Sequence, residues 1–358
     1  MVQAGRPAPR RGGPQHPLLV CQTGPGIGLG HLSRMRVAAQ ALTAAGLTPR
    51  LLVHGGADRR ADDPPWTLLP TEAELVAAID ARLSDPVDGT SRPDALLLDL
   101  AAGALPAGLA PALDRWRRHG VPCIGIDGPA TLHPHLDGIF MPSFRQPPWL
   151  DGASGTAPVI WGWDCLLLPP LDAPPAVWQP PVRPEVLVLT GGSDATGLGA
   201  HWPTLLDATL PAGSRLHWVR GPWASAPCVP PGPTRCDWHW HDAPAGLGPL
   251  MQRCSHAVTV FGVSAFELLQ HGVPTVVFSP YGDKDRSELA ELAATGLLAV
   301  AADARTATAR LATLLDDPVA SARLARQARG RGVGGGGARL AGCLAALSFP
   351  TTNAAPAA

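Results

Sequence analysis

Seven prolines fall between residues 169 and 184 (Pro169, Pro170, Pro174, Pro175, Pro180, Pro181 and Pro184). So dense a run excludes helix, because proline lacks the amide hydrogen and clashes with the preceding turn, and it excludes a central strand. It reads as a semi-rigid linker, so the chain on either side must bury its own apolar surface. Both flanks show the same pattern of short, continuous apolar runs alternating with helical periodicity. Leu18–Cys21, Leu51–His54, Ala95–Asp99, Val121–Asp127 and Ile139–Met141 precede the linker. Glu185–Thr190, Leu216–Val219, Cys236–Trp240, Ala257–Phe261 and Thr275–Phe278 follow it. Runs that are apolar throughout, rather than alternating, are strands buried on both faces, which means parallel sheets covered by helices. The expected fold class is α/β, with two Rossmann-like, doubly wound parallel-sheet domains facing a cleft. Their expected bounds are 17–168 and 185–347, with a Pro-, Gly- and Arg-rich tail over 1–16 and a second tail over 348–358. Helices are predicted near Glu72–Leu83, Leu109–His119, from Ser264, over 287–295, over 305–328 and over Ala338–Leu347.

Composition removes several classes of function. The 28 basic and 29 acidic residues leave a net charge of −1, which argues against a nucleic-acid surface. Seven scattered cysteines, an odd count, argue against a disulfide framework. No apolar run approaches the roughly 18–20 residues that span a bilayer. Arg6, Arg10 and Arg11 are followed by no apolar core, unlike a secretory signal, so a cytoplasmic protein is expected.

The first apolar run ends in Thr23-Gly24-Pro25-Gly26-Ile27-Gly28-Leu29-Gly30-His31-Leu32-Ser33-Arg34. A G-x-G-x-x-G dinucleotide fingerprint starting at Gly24 fails at Leu29, and one starting at Gly26 fails at His31; no lysine follows as a phosphate-binding P-loop requires. What remains is a loop whose small residues let a ligand approach the backbone, with His31 at a helix start, where an imidazole can serve as general base or simply cap and pack. Arg34, one turn on, suits a phosphate, a carboxylate or open solvent. A second turn, Gly191-Gly192-Ser193-Asp194, is predicted to open a helix and so to offer free backbone N–H groups to an anion, or to be an ordinary strand-to-helix turn. The third stretch runs from Gly262 to Pro274, with a short helix from Ser264 that stops at Gly272. Glu267 sits in it among Phe266, Leu268 and Leu269, where a carboxylate needs partners. A sugar diol would satisfy it, and so would a capping box with Ser264. Cys228, Cys236, His239 and His241 match no standard metal spacing, and the last two alternate as in a strand, so no metal or other cofactor is expected.

Taken together, these stretches resemble the GT-B nucleotide-sugar enzymes, particularly the family-28-type glycosyltransferases and the related UDP-sugar hydrolase of pseudaminic acid synthesis. Gly28–Arg34 matches the G-x-G-H-x-x-R loop of that group, Gly191–Asp194 its G-G-S-D turn, and Gly262, Ser264, Glu267, Gly272 and Pro274 its G-x-[ST]-x-x-E-x-x-x-x-G-x-P segment. Ile126-Asp127, with His135 and Asp137 downstream, and Gly162–Leu167 are weaker echoes. The resemblance spans residues 18–345. It departs from the hydrolase at Gly128, where a second aspartate is usual, and near Leu168 and Pro169, where an arginine is usual.

The resemblance implies a GT-B enzyme that moves a sugar from a UDP-sugar to an acceptor hydroxyl. His31 would be the catalytic base, Glu267 would hold the ribose and Ser264 the diphosphate. Gly28, Gly30, Arg34, Gly191, Gly192, Ser193, Asp194 and Gly262 would line the nucleotide-sugar. Asp283 stands where many relatives have an Asp-Gln pair that contacts the donor sugar, with Lys284 in place of the glutamine. The implied partners are the donor and a glycan, lipid-linked or small-molecule acceptor, with peripheral membrane contact where the acceptor is a lipid. Water in place of the acceptor gives a hydrolase, and loss of turnover gives a sugar-nucleotide-binding protein.

Overall fold

The computed structural model describes residues 14–57, 59–61, 63–70, 74–84, 91–150 and 157–346. Of the expected tails, residues 1–13 and 348–358 lie outside the described residues, as does the predicted helix start at Glu72. The chain divides into two compact units, one formed by the residues up to Leu168 together with those from Gly334 onward, the other by Pro169–Val333.

The first unit holds β1 (Pro17–Gln22), α1 (Gly30–Ala44), β2 (Arg50–His54), β3 (Trp66–Leu69), α2 (Leu75–Ser84), β4 (Ala95–Asp99), α3 (Leu109–Arg118), β5 (Cys123–Ile126), β6 (Gly138–Phe140) and β7 (Val159–Ile160). Its seven strands are ordered β3-β2-β1-β4-β5-β6-β7 and pair in parallel. All six residues of β1 and all five of β4 are buried, including the polar Gln22 and Asp99 that end their apolar runs. One face of the sheet packs Leu19, Cys21, Leu51 and Leu97 against Leu32, Met35 and Leu42 of α1. The other packs Leu18, Leu96 and Leu98 against Ile79 and Trp116 of α2 and α3.

The second unit holds β8 (Glu185–Leu189), α4 (Trp202–Thr209), β9 (Arg215–Arg220), β10 (Asp237–Asp242), α5 (Gly248–Arg253), β11 (His256–Val260), α6 (Val263–Gln270), β12 (Thr275–Phe278), α7 (Arg286–Thr295), β13 (Ala299–Val300), α8 (Ala304–Asp316) and α9 (Pro318–Arg331). Its six strands run β10-β9-β8-β11-β12-β13, again all parallel. In both units the strand order reverses beside the first strand, between β1 and β4 and between β8 and β11. The crevice outside the carboxyl ends of such a pair is where doubly wound sheets bind ligands.

Three boundaries differ from the sequence reading. The helix predicted over 305–328 is two helices, because Asp317 caps α9 by accepting from the Val319 and Ala320 amides and Pro318 fills its first turn. The closing helix, α10 (Gly336–Ala346), belongs to the first unit and not to the C-terminal domain: Leu340, Ala341 and Leu344 join the α1 side of its core. The proline-rich run is tied to the second unit, where Trp178 donates to the Ser255 carbonyl and stands edge-on to His256.

His256 itself predicts an acid sensitivity. Its ring is buried between the Ser255 and Ser321 hydroxyls at 3.0 Å each, and burial pushes its pKa down to about 4. Above the unfolded value of about 6.5 both states are neutral and the group is without effect. Below it the unfolded chain takes the proton first, so stability falls as pH drops from about 6.5 to about 4. The loss expected from this group at pH 4.5 is about 2–3 kcal/mol. Denaturant unfolding at pH 7.5 and 4.5 checks it: the difference between the two should shrink by that amount in His256→Asn.

Candidate active site

At the end of β1 the backbone turns through Gly24–Gly30. The Ile27 and Gly28 amides both donate to the Gly24 carbonyl, and Gly28 sits at φ +82°, a conformation that costs glycine little. Next to the loop, Gly55 approaches so closely that a Cβ there would lie 2.0 Å from the Thr23 carbonyl oxygen. α1 then starts at Gly30 with no side-chain cap, leaving the amides of its first turn without helical partners.

His31 and Arg34, three apart, project from one face of that first turn. Both reach Asp99, the last residue of β4, which is fully buried. Arg34 donates from Nε to Asp99 Oδ2 and from Nη2 to Asp99 Oδ1, each at 2.8 Å, a two-pronged ion pair. His31 Nδ1 lies 2.6 Å from Asp99 Oδ1. Burial alone would raise the Asp99 pKa, but the Arg34 charge and hydrogen bonds, helped by His31, hold it below the ordinary carboxylate range. An ionised carboxylate can only accept, so Nδ1 carries the proton and donates it. Nε2 then bears the lone pair, and among the described residues it has no hydrogen-bond partner and is not buried. Arg34 Nη2 also donates to Asp127 Oδ2 at 3.0 Å. Burial would lower the Arg34 pKa, yet Asp99 and then Asp127 hold it above the usual arginine value.

Sequence reasoning expected His31 here. It took Asp99 only as the end of an apolar strand; a single aspartate closing such a run, on the strand beside β1, was the signal available. Arg34, expected on the nucleotide-sugar, has its guanidinium engaged by two carboxylates and is 12% exposed. Of the weaker echoes, Asp127 joins the cluster. His135 pairs instead with Asp114, and Asp137 accepts from the Cys123 amide.

In the second unit, Gly191, Gly192 and Ser193 follow β8, with Gly191 at φ +83° and 3.7 Å, measured from an ideal Cβ, from Val260 of β11. The expected helix does not begin there: α4 starts only at Trp202. The reason lies in Asp194, whose carboxylate accepts from the Leu198 and Gly199 amides at 2.9 and 2.7 Å and so closes a short turn instead. The turn is backed by Gly221, where a Cβ would lie 2.3 Å from the Gly192 carbonyl oxygen. The helix that does open at this switch point is α6, from Gly262, with Ser264 and Glu267 half-buried on it and no side-chain cap. Asp283 lies on an exposed turn after β12, paired with Arg286. Cys228 is exposed, and His239 and His241 sit on β10, where His241 Nε2 meets His217 Nδ1 at 3.0 Å. Among the described residues no three His, Cys, Asp or Glu side chains are placed to hold a metal ion.

No protein-family model and no curated relative matches the chain. Solved structures match it over almost its whole length. MurG of Acinetobacter baumannii is 14% identical over 92% of this chain and 99% of its own, with a TM-score of 0.60. MnaA of S. aureus, solved with UDP, is 13% identical over 92% and 96%, TM-score 0.60. UGT89C1 of Arabidopsis thaliana, solved with UDP-L-rhamnose, is 14% identical over 94% and 99%, TM-score 0.62. At these identities the likeness is one of fold. The chain has the GT-B fold, two Rossmann-like parallel-sheet units of seven and six strands. No helix among the described residues is long and apolar enough to cross a membrane.

The buried pair makes a stability prediction. Removing one partner of a buried ion pair strands the other charge, at a cost of about 3–5 kcal/mol. Asp99→Ala should lower unfolding stability by that order in urea denaturation, and Asp127→Ala, at a side chain 44% exposed, by far less.

Proposed function

We propose that the chain is a cytoplasmic glycosyltransferase that moves a sugar from a nucleotide-sugar, with UDP as the nucleotide, to an acceptor hydroxyl. The observation that carries this reading is the His31–Asp99 contact, which leaves the imidazole Nε2 free to take a proton. In this mechanism Nε2 removes the acceptor's proton as the hydroxyl attacks the anomeric carbon. Asp99 stabilises the imidazolium that forms, and Nδ1–H stays in place throughout. Glu267 binds the ribose diol. Gly262 and Ser264, at the start of α6, face the diphosphate, where free amides and the helix dipole favour the leaving group's charge. Gly28 and Gly30 let the ligand approach the backbone, Gly191, Gly192 and Ser193 add backbone and hydroxyl contacts, and Asp283 is the donor-sugar candidate. Asp194 orders its turn, and Arg34 acts through Asp99. The UDP and UDP-L-rhamnose in the MnaA and UGT89C1 structures support a UDP-sugar donor. The acceptor is a glycan, a lipid-linked sugar or a small molecule.

Hydrolysis is the less supported reading. The hydrolase usually carries a second aspartate where Gly128 stands, and a Cβ there would lie 2.0 Å from the Leu100 carbonyl oxygen and 2.7 Å from the Ala102 amide. A silent binding protein would have no use for a base held by a buried carboxylate.

A panel of UDP-sugars, with and without hydroxyl acceptors, tests the proposal. Acceptor-dependent UDP release is expected, and His31→Ala should lower kcat by about 10²–10⁴-fold with UDP affinity unchanged. Full turnover by His31→Ala would refute the mechanism, and equal UDP release without acceptor would replace transfer with hydrolysis. Glu267→Ala should weaken UDP binding about 10-fold or more, the loss of a charged hydrogen bond.

A further inference from the structure

Arg34 poses a problem for the dyad it organises. Its Nη2 lies 2.9 Å from His31 Nδ1, and because Nδ1 carries a proton this is a cation against a donor. An imidazolium forming there would face the guanidinium at close range. Arg34 and Asp99 alone cancel, so that pair by itself offers the imidazolium no net charge.

Asp127 alters the balance. It follows β5 at φ +59°, ψ −108°, a sparsely populated and strained conformation for a residue other than glycine. It stands at the N-cap of the short helix 128–135, yet makes no cap hydrogen bond; its carboxylate turns to Arg34 instead. Asp127 Oδ2 and His31 Nδ1 both lie within 3.0 Å of the same Arg34 nitrogen, so they are within about 6 Å of each other. Beyond the cluster, the Arg36 and Arg60 charges both face the Asp63 carboxylate. Burial keeps the Cys21 thiol protonated, and Arg36 donates to Asp63 at 2.6 and 2.9 Å. With Arg34 at +1 and Asp99 and Asp127 at −1 each, the cluster carries −1 while His31 is neutral and becomes neutral when His31 takes a proton.

We propose that Asp127 is a positioning residue for the base: by holding Arg34 and offsetting its charge, it leaves Asp99 able to stabilise a protonated His31. The inference rests on the base reading above for its significance, but the charge coupling is a property of the free protein and is measured without turnover. The full chain is labelled for ring NMR, His31 is assigned by its absence from His31→Gln, and its proton uptake is followed against pH in wild type and variants. In Asp127→Asn the His31 titration should move to lower pH by about one unit, the size expected for a charge at this range. Asp127→Glu should stay near wild type. Asn tolerates positive φ better than most residues, so Asp127→Asn should fold. Because Asp127 acts through Arg34, the same substitution in an Arg34→Gln background should shift the titration by less than half as much. An unmoved titration in Asp127→Asn overturns the proposal. So does an equal shift in both backgrounds, which would make Asp127 a direct, through-space effect. If the titration moves as stated while His31→Ala keeps full turnover, the coupling stands and the base reading falls.

Discussion

A fully buried carboxylate at the end of a strand is the constraint around which the first unit is arranged. Asp99 could not stay ionised inside the protein without a partner, since the desolvation penalty is several kcal/mol per ion even after relaxation. Arg34 supplies that partner with two hydrogen bonds, and this fixes where α1 must lie, because the guanidinium reaches Asp99 only if the first turn of the helix sits over the carboxyl ends of β1 and β4. The strand order β3-β2-β1-β4 puts those two ends side by side. His31 comes along by geometry: three residues before Arg34, it shares the helix face and meets the same oxygen. Topology, ion pair and the His31–Asp99 contact are therefore one arrangement and not three.

The second unit repeats the topology and uses its loops differently. Its first strand also ends in a glycine turn, but Asp194 folds that turn back on the Leu198 and Gly199 amides, so helix dipole and turn are uncoupled. The free helix start at the switch point passes to α6 after β11, which carries Ser264 and Glu267. An unpaired helix N-terminus thus stands beside the reversal of strand order in each unit, after the first strand in one and after the fourth in the other.

The sheets were legible in the sequence because strands buried on both faces must be apolar throughout, and the pattern shows at β1, β4, β8, β11 and β12. Short edge strands such as β3 and β13 left no such trace: Trp66–Leu69 is partly exposed, and Ala299–Val300 is two residues long. His31 was legible from its place in a glycine loop. Asp99 was not, because its meaning depends on a residue 65 positions away that only the crossover brings near. Asp127 stood out only as a weak echo of the family pattern: locally an aspartate before Gly-Pro reads as a turn or cap, and only the fold turns its carboxylate toward Arg34. In the second unit Asp317-Pro318 had the composition of a helix start, yet continuous helical periodicity on both sides concealed the break.

The four consecutive glycines at 334–337 show how far composition can mislead about structure. By composition they are a flexible linker, and glycine inside a helix costs about 1 kcal/mol relative to alanine. Two of them nevertheless begin α10, because nothing larger fits: a Cβ on Gly336 would lie 2.4 Å from the Cys165 carbonyl oxygen, and one on Gly337 would lie 2.9 Å from the Ala41 Cβ. That close approach sets Leu340, Ala341 and Leu344 into the same core as Leu32, Met35 and Leu42. The helix that carries His31 and Arg34 is therefore packed on the sheet on one side and on α10 on another, with its first turn tied to Asp99. The base proposed at His31 would have to hold one tautomer and one position through each proton transfer, which needs its helix fixed in this way. The glycine run makes that bracing sterically possible, from a part of the chain more than 290 residues beyond the loop it serves.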